Sequence, residues 1–135
     1  MKNEIDFSRK NILIGGATNG IGWECAKLFS QFGGNVTLVS RNKIVLEKRL
    51  TELCNNGNQR HDTILADFNS PEIVEKKTRE FIQKNSIFYD IVINNSGGPP
   101  GGSLEKATTD ELINAFNLHL ISFHKLLEVT LEGMK

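Results

Sequence analysis

"GGATNGIG" (15–22) is the stretch whose reading decides the fold of this chain. Before it stands "KNILIG" (10–15), a short β-branched apolar run that ends in glycine. After it comes "GIGWECAKLFSQFGG" (20–34), in which Ile21, Ala26, Leu28, Phe29 and Phe32 recur at helical spacing and Gly33 and Gly34 suit a C-terminal cap. The glycine-rich turn therefore joins a strand to a helix. In a parallel α/β sheet such a turn points free backbone N–H groups outward, and the helix N-terminus adds the positive end of its dipole. That combination suits a pyrophosphate. Gly16 permits the tight turn, while Gly20 and Gly22 let ligand and backbone approach closely and let the helix pack on its strand. A turn that binds nothing is the alternative, and the flanking strand and helix weigh against it. No Gly-Lys-Ser/Thr follows, which excludes a P-loop.

The same alternation continues outward. "NVTLVS" (35–40) predicts a second buried strand, and "KIVLEKRLTELCNNGN" (43–58) a helix that runs into an Asn/Gly stop. "DTILAD" (62–67) predicts a third strand. Ser70-Pro71-Glu72 supplies an N-cap, a proline at the first helical position and an acid in the first turn, so a helix follows to about Lys84. "YDIVINN" (89–95) predicts a fourth strand, and "SGGPPGGS" (96–103) a loop on the side where substrates bind in such folds. Thr108-x-x-Glu111 is a capping box for the last helix, whose back half is "HLISFHKLLEVTLEGMK" (119–135). Short unbroken apolar strands separated by helices predict a parallel sheet covered on both faces. The fold expected is a doubly wound, Rossmann-like α/β sheet forming a single domain over residues 1–135, ending after the fourth strand and its following helix.

Composition narrows the partners. Lys+Arg and Asp+Glu both number 16, so the formal net charge is zero and no electrostatic footprint for nucleic acid or an anionic membrane is expected. The first residues, Met1 to Asp6, are polar and do not read as a secretory signal, and no apolar run approaches a membrane span. Cys25 and Cys54 stand apart without metal-ligand spacing and read as reduced thiols, so the cytoplasm is the expected compartment.

The end of the second predicted strand is "VSRN", with Ser40, Arg41 and Asn42. Many dinucleotide-binding proteins place an acid there to hold ribose hydroxyls. Arg41 would instead attract a 2′-phosphate through a planar, charge-assisted fork, which favours NADP(H) over NAD(H). The spacing Gly16-x-x-x-Gly20-x-Gly22, with Thr18, Asn19 and Ile21 between, resembles the T-G-x-x-x-G-x-G turn of the short-chain dehydrogenases/reductases. Asp67, followed by Phe68, resembles the family aspartate that meets the adenine amino group. Asn94-Asn95-Ser96-Gly97 resembles the N-N-A-G motif, which stabilises the sheet and borders the ribose and nicotinamide side. Asn117 falls where the family keeps a helix asparagine that holds a water in the proton relay. Together these resemble the cofactor-binding half of such enzymes, for example the 3-oxoacyl-carrier-protein reductases. Three positions depart from the pattern. Gly15 replaces the first threonine, Ser96 replaces alanine, and Asn19 stands where many NADP-preferring members carry a basic residue, leaving Arg41 to select the cofactor.

The resemblance also implies a serine and a Tyr-x-x-x-Lys on a fifth strand and its following helix, acting on a small carbonyl or alcohol substrate. The only tyrosine here is Tyr89, at the start of the fourth predicted strand, and no Tyr-x-x-x-Lys occurs. Of the catalytic set only Asn117 is present, and the rest is expected beyond Lys135. The alternative is a catalytically incompetent nucleotide-binding remnant or an interaction module. His119 and His124 lie five apart on a helix and read as surface or half-buried packing. Trp23, directly after Gly22, is expected near the pyrophosphate, where its fluorescence would report binding. Leu112, Ile113, Phe116, Leu120, Phe123, Leu127 and Leu131 give the last helix more apolar surface than one sheet face needs, so self-association through it is expected.

Overall fold

The computed structural model describes residues 5–98 and 101–135. The first four residues, and Pro99 and Pro100 of the predicted substrate-side loop, lie outside the described residues. Strands β1 (Asn11–Gly15), β2 (Asn35–Ser40), β3 (Asp62–Leu65) and β4 (Ile91–Ile93) form one parallel sheet in the order β3-β2-β1-β4. The chain steps outward from β1 to β2 and β3, then returns to pair β4 on the other side of β1. This reversal opens a crevice beyond the C-terminal ends of β1 and β4, the place where doubly wound sheets take ligands.

Side-chain alternation divides the core. Ile12, Ile14, Val36 and Leu38 pack with Trp23 and Ala26 of helix α1 (Gly20–Gln31) and Leu46 of α2 (Lys43–Glu52). Leu13, Val39 and Ile64 face the other way, against Val74 of α3 (Pro71–Asn85) and Leu126 of the last helix. Each fully buried Leu, Ile or Val contributes about 1.5–3 kcal/mol, which makes β1, buried throughout Ile12–Ile14, the anchor of both layers. Helices on both faces of a parallel sheet confirm the expected Rossmann-like arrangement.

Several local expectations need correction. Helix α1 turns Gly22, Trp23, Ala26 and Ser30 inward, while Ile21 and Leu28 are exposed. Close approach of Gly22 to the preceding turn fixes the helix rotation, and Ser30 is satisfied in the interior. Its Oγ donates to the Lys27 carbonyl at 2.7 Å and accepts the Cys54 N–H at 3.2 Å. Helix α2 ends at Glu52 because Leu53 becomes extended and buries its side chain. The Asn-rich segment that follows is organised by Gln59, whose Nε2 donates to the carbonyls of Ser30 and Gly34 at 2.7 and 2.9 Å. Pro71 opens α3 as predicted, but the Ser70 side chain makes no cap hydrogen bond.

β4 is shorter than its apolar run. Tyr89 precedes it, buried, and donates to Thr37 Oγ1 at 3.0 Å; burial pushes its phenol well above the usual tyrosine range. Asp90 accepts the Asn11 N–H at 2.8 Å and Lys10 Nζ at 3.0 Å, tying the entrance of β4 to that of β1.

The capping box forms: Thr108 Oγ1 accepts the Glu111 N–H at 3.2 Å and Glu111 Oε2 accepts the Thr108 N–H at 2.7 Å. The last helix is not regular, however. It runs as α4 (Thr109–Phe116), a π-turn (Asn117–Ile121) and α5 (Ser122–Thr130), before a 3₁₀ turn at Leu131–Met134. α5 buries Ser122, Leu126 and Thr130, and Ser122 Oγ donates to the Phe68 carbonyl. Lys125 joins it to α3 through Glu75 at 3.0 Å. Among the described residues no helix is long and apolar enough to cross a membrane.

Candidate functional site

The site begins at the glycine turn. Gly16 has φ +57°, and a Cβ there would lie 2.0 Å from the Asn95 carbonyl oxygen. A Cβ on Gly22 would lie 2.6 Å from both Asn95 Nδ2 and the Gly16 carbonyl oxygen. Asn95 Nδ2 in turn donates to the Gly16 carbonyl at 3.3 Å. The end of β4 is thus stitched directly onto the turn, and only glycine leaves room for the stitch. Beyond it, the N–H groups of Thr18, Asn19, Gly20, Ile21 and Gly22 donate to no acceptor among the described residues; the first bond into α1 runs from the Trp23 N–H to the Asn19 carbonyl at 3.3 Å. The Asn19 side chain makes no cap bond, and the first turn carries no acid. Unpaired donors together with the positive end of a helix dipole make an anion cradle.

Beside the cradle lies a cleft of about 180 Å³, lined in part by Ser40, Arg41, Asp67, Phe68, Ser96 and Gly97. Arg41 Nη1 stands 3.9 Å from Asp67 Oδ2 in an exposed pair. Asp67 Oδ1 is occupied by the backbone and side-chain amides of Asn69 at 2.9 and 3.1 Å. Thr18 Oγ1 and Ser40 Oγ approach to 3.4 Å, linking the turn to the end of β2. Phe68 is a wall: it is buried, and its ring fills the space that a Cβ on Gly15 would need. A Cβ on Gly97 or Gly98 would meet nothing within 4 Å among the described residues.

Not every predicted residue converges on the cleft. Asn42 caps α2, its Oδ1 accepting the Val45 N–H at 3.1 Å, so its side chain is occupied in holding a helix. Ile21 is exposed at the start of α1, and Asn94 is exposed just past β4. Trp23 is buried rather than open to the cradle. Asn117 opens the π-turn, where its carbonyl accepts the Ser122 N–H five residues on. A π-turn inside an α-helix frequently accompanies a functional position.

Two features escaped the sequence reading. His119 is no mere packing residue: its Nδ1 lies 2.9 Å from Ser96 Oγ, which joins the last helix to the cleft wall. The serine that replaces the family alanine was the available signal, but its partner depends on the π-turn, which no periodicity announced. The second is Arg49 on α2, whose Nε donates to the Thr18 carbonyl at 3.0 Å and whose guanidinium lies 4.5 Å from the centre of the Trp23 ring.

The sequence model for short chain dehydrogenase matches residues 10–135. The chain belongs to the short-chain dehydrogenase family. Dehydrogenase/reductase SDR family member 7B of Rattus norvegicus is 30% identical over 104 residues, covering 73% of this chain and 32% of the relative. The 3-oxoacyl-[acyl-carrier-protein] reductase of Chlamydia muridarum is 22% identical over 125 residues, covering 93% of this chain and 50% of the relative. Among solved structures, L-sorbose reductase from Gluconobacter frateurii, complexed with NADPH and L-sorbose, superposes with a TM-score of 0.88 at 24% identity. That superposition covers 97% of this chain and 49% of the reductase and shows a shared fold. This short-chain dehydrogenase chain spans between about a third and a half of the length of these relatives.

Proposed function

We propose that this chain is the dinucleotide-binding portion of an NADP(H)-dependent oxidoreductase that moves hydride between the nicotinamide and a small carbonyl or alcohol. The observation that carries the reading is the row of N–H groups from Thr18 to Gly22 that have no acceptor among the described residues, set beside a cleft walled by Arg41 and Asp67. Gly16, Thr18, Asn19, Gly20, Ile21 and Gly22 would take the pyrophosphate. Arg41 and Ser40, at the end of β2, would hold the 2′-phosphate, with Asn42 fixing the start of α2 beneath them. Asp67 and Phe68 would border the adenine; Asn94, Asn95, Ser96 and Gly97 would border the ribose. The nicotinamide, when bound, supplies or accepts the hydride. Asn117 is proposed to hold a water, since a carbonyl that accepts the Ser122 N–H retains a second lone pair. Balanced charge supports a setting without nucleic acid or an anionic membrane as partner, and the free thiols of Cys25 and Cys54 support the cytoplasm.

Titration with NADPH and NADH tests this. Arg41→Ala should weaken NADPH binding by about tenfold, the worth of one charge-assisted pair, and leave NADH within about twofold. Equal affinities for both nucleotides, untouched by Arg41→Ala, would remove the 2′-phosphate assignment. No binding of either would remove the proposed function. A second reading, a nucleotide-binding module without chemistry, is favoured by Tyr89, which is buried against Thr37 and away from the cleft. NADPH bound by the intact protein, yet never oxidised with small ketones or aldehydes, would decide for it.

A further inference from the structure

We propose that Arg49 is a positioning residue of the dinucleotide site, one that keeps the glycine turn open for the pyrophosphate. This rests on the dinucleotide reading above. Arg49 lies on α2, outside the turn and the cleft, and makes three contacts with one planar group. Nε donates to the Thr18 carbonyl at 3.0 Å, Nη1 pairs with Glu52 Oε2 at 2.6 Å, and the guanidinium lies 4.5 Å from the centre of the Trp23 ring. The side chain is 24% exposed and Trp23 is 6% exposed, so the arrangement is largely shielded from water.

Thr18 precedes the N-cap Asn19, so its carbonyl lies outside the helix ladder, whose first bond is the Trp23 N–H to the Asn19 carbonyl. The Arg49 Nε–H anchors that carbonyl on α2 instead. The Gly22 N–H, on the third residue of the helix, is one of the donors that any helix start leaves without an intrahelical partner. Across the trans peptide from Thr18 to Asn19, the N–H points opposite to the carbonyl. Holding the carbonyl against α2 therefore fixes the Asn19 N–H on the side away from α2. Arg49 thus sets the direction of a donor that it does not touch, and it uses both the donor geometry and the flat stacking face that distinguish Arg from Lys. Glu52 holds the fork and offsets its charge, so the contribution to an anion is geometric rather than coulombic.

The test compares ligands with and without a pyrophosphate. The intact chain and its Arg49→Leu and Arg49→Lys variants are titrated calorimetrically with NADPH, NADH and adenosine 2′-monophosphate. The expected result is a loss of about tenfold for both dinucleotides in both variants, with adenosine 2′-monophosphate unchanged. Trp23 fluorescence should change on NADPH binding in the wild type and lose most of that response in Arg49→Leu. Equal loss for all three ligands would mean that Arg49 only supports the fold, and would overturn the proposal. So would a loss confined to NADPH and adenosine 2′-monophosphate, which would make Arg49 a 2′-phosphate contact, or full affinity in either variant. If the wild type binds none of the three, the dinucleotide reading itself fails.

Discussion

Gly16 and Gly20 share nearly the same left-handed backbone, φ +57° and +55°, but differ in what surrounds them. A Cβ on Gly20 meets nothing within 4 Å, whereas one on Gly16 would lie 2.0 Å from a backbone oxygen. Gly20→Ala should therefore cost only the left-handed penalty, about 1–2 kcal/mol. Gly16→Ala should cost about 4 kcal/mol or more, because the Asn95 carbonyl cannot move without breaking the stitch to β4. Urea unfolding of both variants checks this, and equal losses would refute the role given to Asn95. Asp90 brings pH into the same scale. Burial alone would raise its carboxyl, but bonds from the Asn11 N–H and Lys10 outweigh that and hold it below the usual range. A lowered carboxyl stabilises the fold above its unfolded value, about 3.9, and loses that contribution as pH falls through the folded value. Asp90→Asn should accordingly be less stable than wild type at pH 7, with the gap closing as the pH falls from about 3.9 through the lower folded value. The gap should be modest, since the carboxylate is 35% exposed. At this scale the sequence showed which residues were chemically suited, Arg41 and Asp67 among them. It did not show Arg49 or His119, because each acts through a partner brought near by the fold rather than by spacing.

Elements were legible where local chemistry decides them. The capping box at Thr108 and Glu111, Pro71 at the start of α3 and Gly33 just past α1 all form as read. Thr108→Ala should destabilise the chain by about 1 kcal/mol, measured by denaturant midpoint, whereas Ser70→Ala should cost little because the Ser70 side chain caps nothing. Elements were misread where packing decides them. The apolar spacing of α1 pointed to Ile21 and Leu28 as core, but Gly22 must touch the turn, and that single contact rotates the helix. The π-turn was equally hidden: its residues, "NLHLI", suit an ordinary helix. Its cause lies in what it joins. Ser122 is anchored to the Phe68 carbonyl and Leu126 is buried, while His119 reaches Ser96. One widened turn meets both demands.

For the whole molecule, the doubly wound parallel sheet was legible because the glycine turn and the strand pattern allow few alternatives, whereas the order β3-β2-β1-β4 came from the structure. The surface is where the sequence left a question. Leu112, Ile113, Phe116 and Leu120 are each more than half exposed and form one stripe along α4 and into the π-turn, while the opposite side of α5 carries the buried Ser122, Leu126 and Thr130. Among the described residues β4 is an outer strand of the sheet, and its partly buried Ile91, Val92 and Ile93 leave one line of backbone groups without a neighbouring strand. A stripe of large apolar side chains drives association in proportion to the area it hides, at about 25 cal/mol per Å². We therefore expect this chain to self-associate through α4. Sedimentation equilibrium across a range of concentrations should show a species heavier than 15.1 kDa. Replacing Leu112 and Phe116 together by Glu should shift the chain toward monomer while leaving the NADPH affinity unchanged, because neither residue borders the cleft. The opposite stripe supplies the control. Leu126→Ala removes core rather than surface, so it should lower the melting temperature by opening a cavity worth about 2–5 kcal/mol, and it should not relieve association. A wild-type chain that sediments as a monomer at every concentration would show that this stripe is tolerated in water and would end the case for an interface on α4.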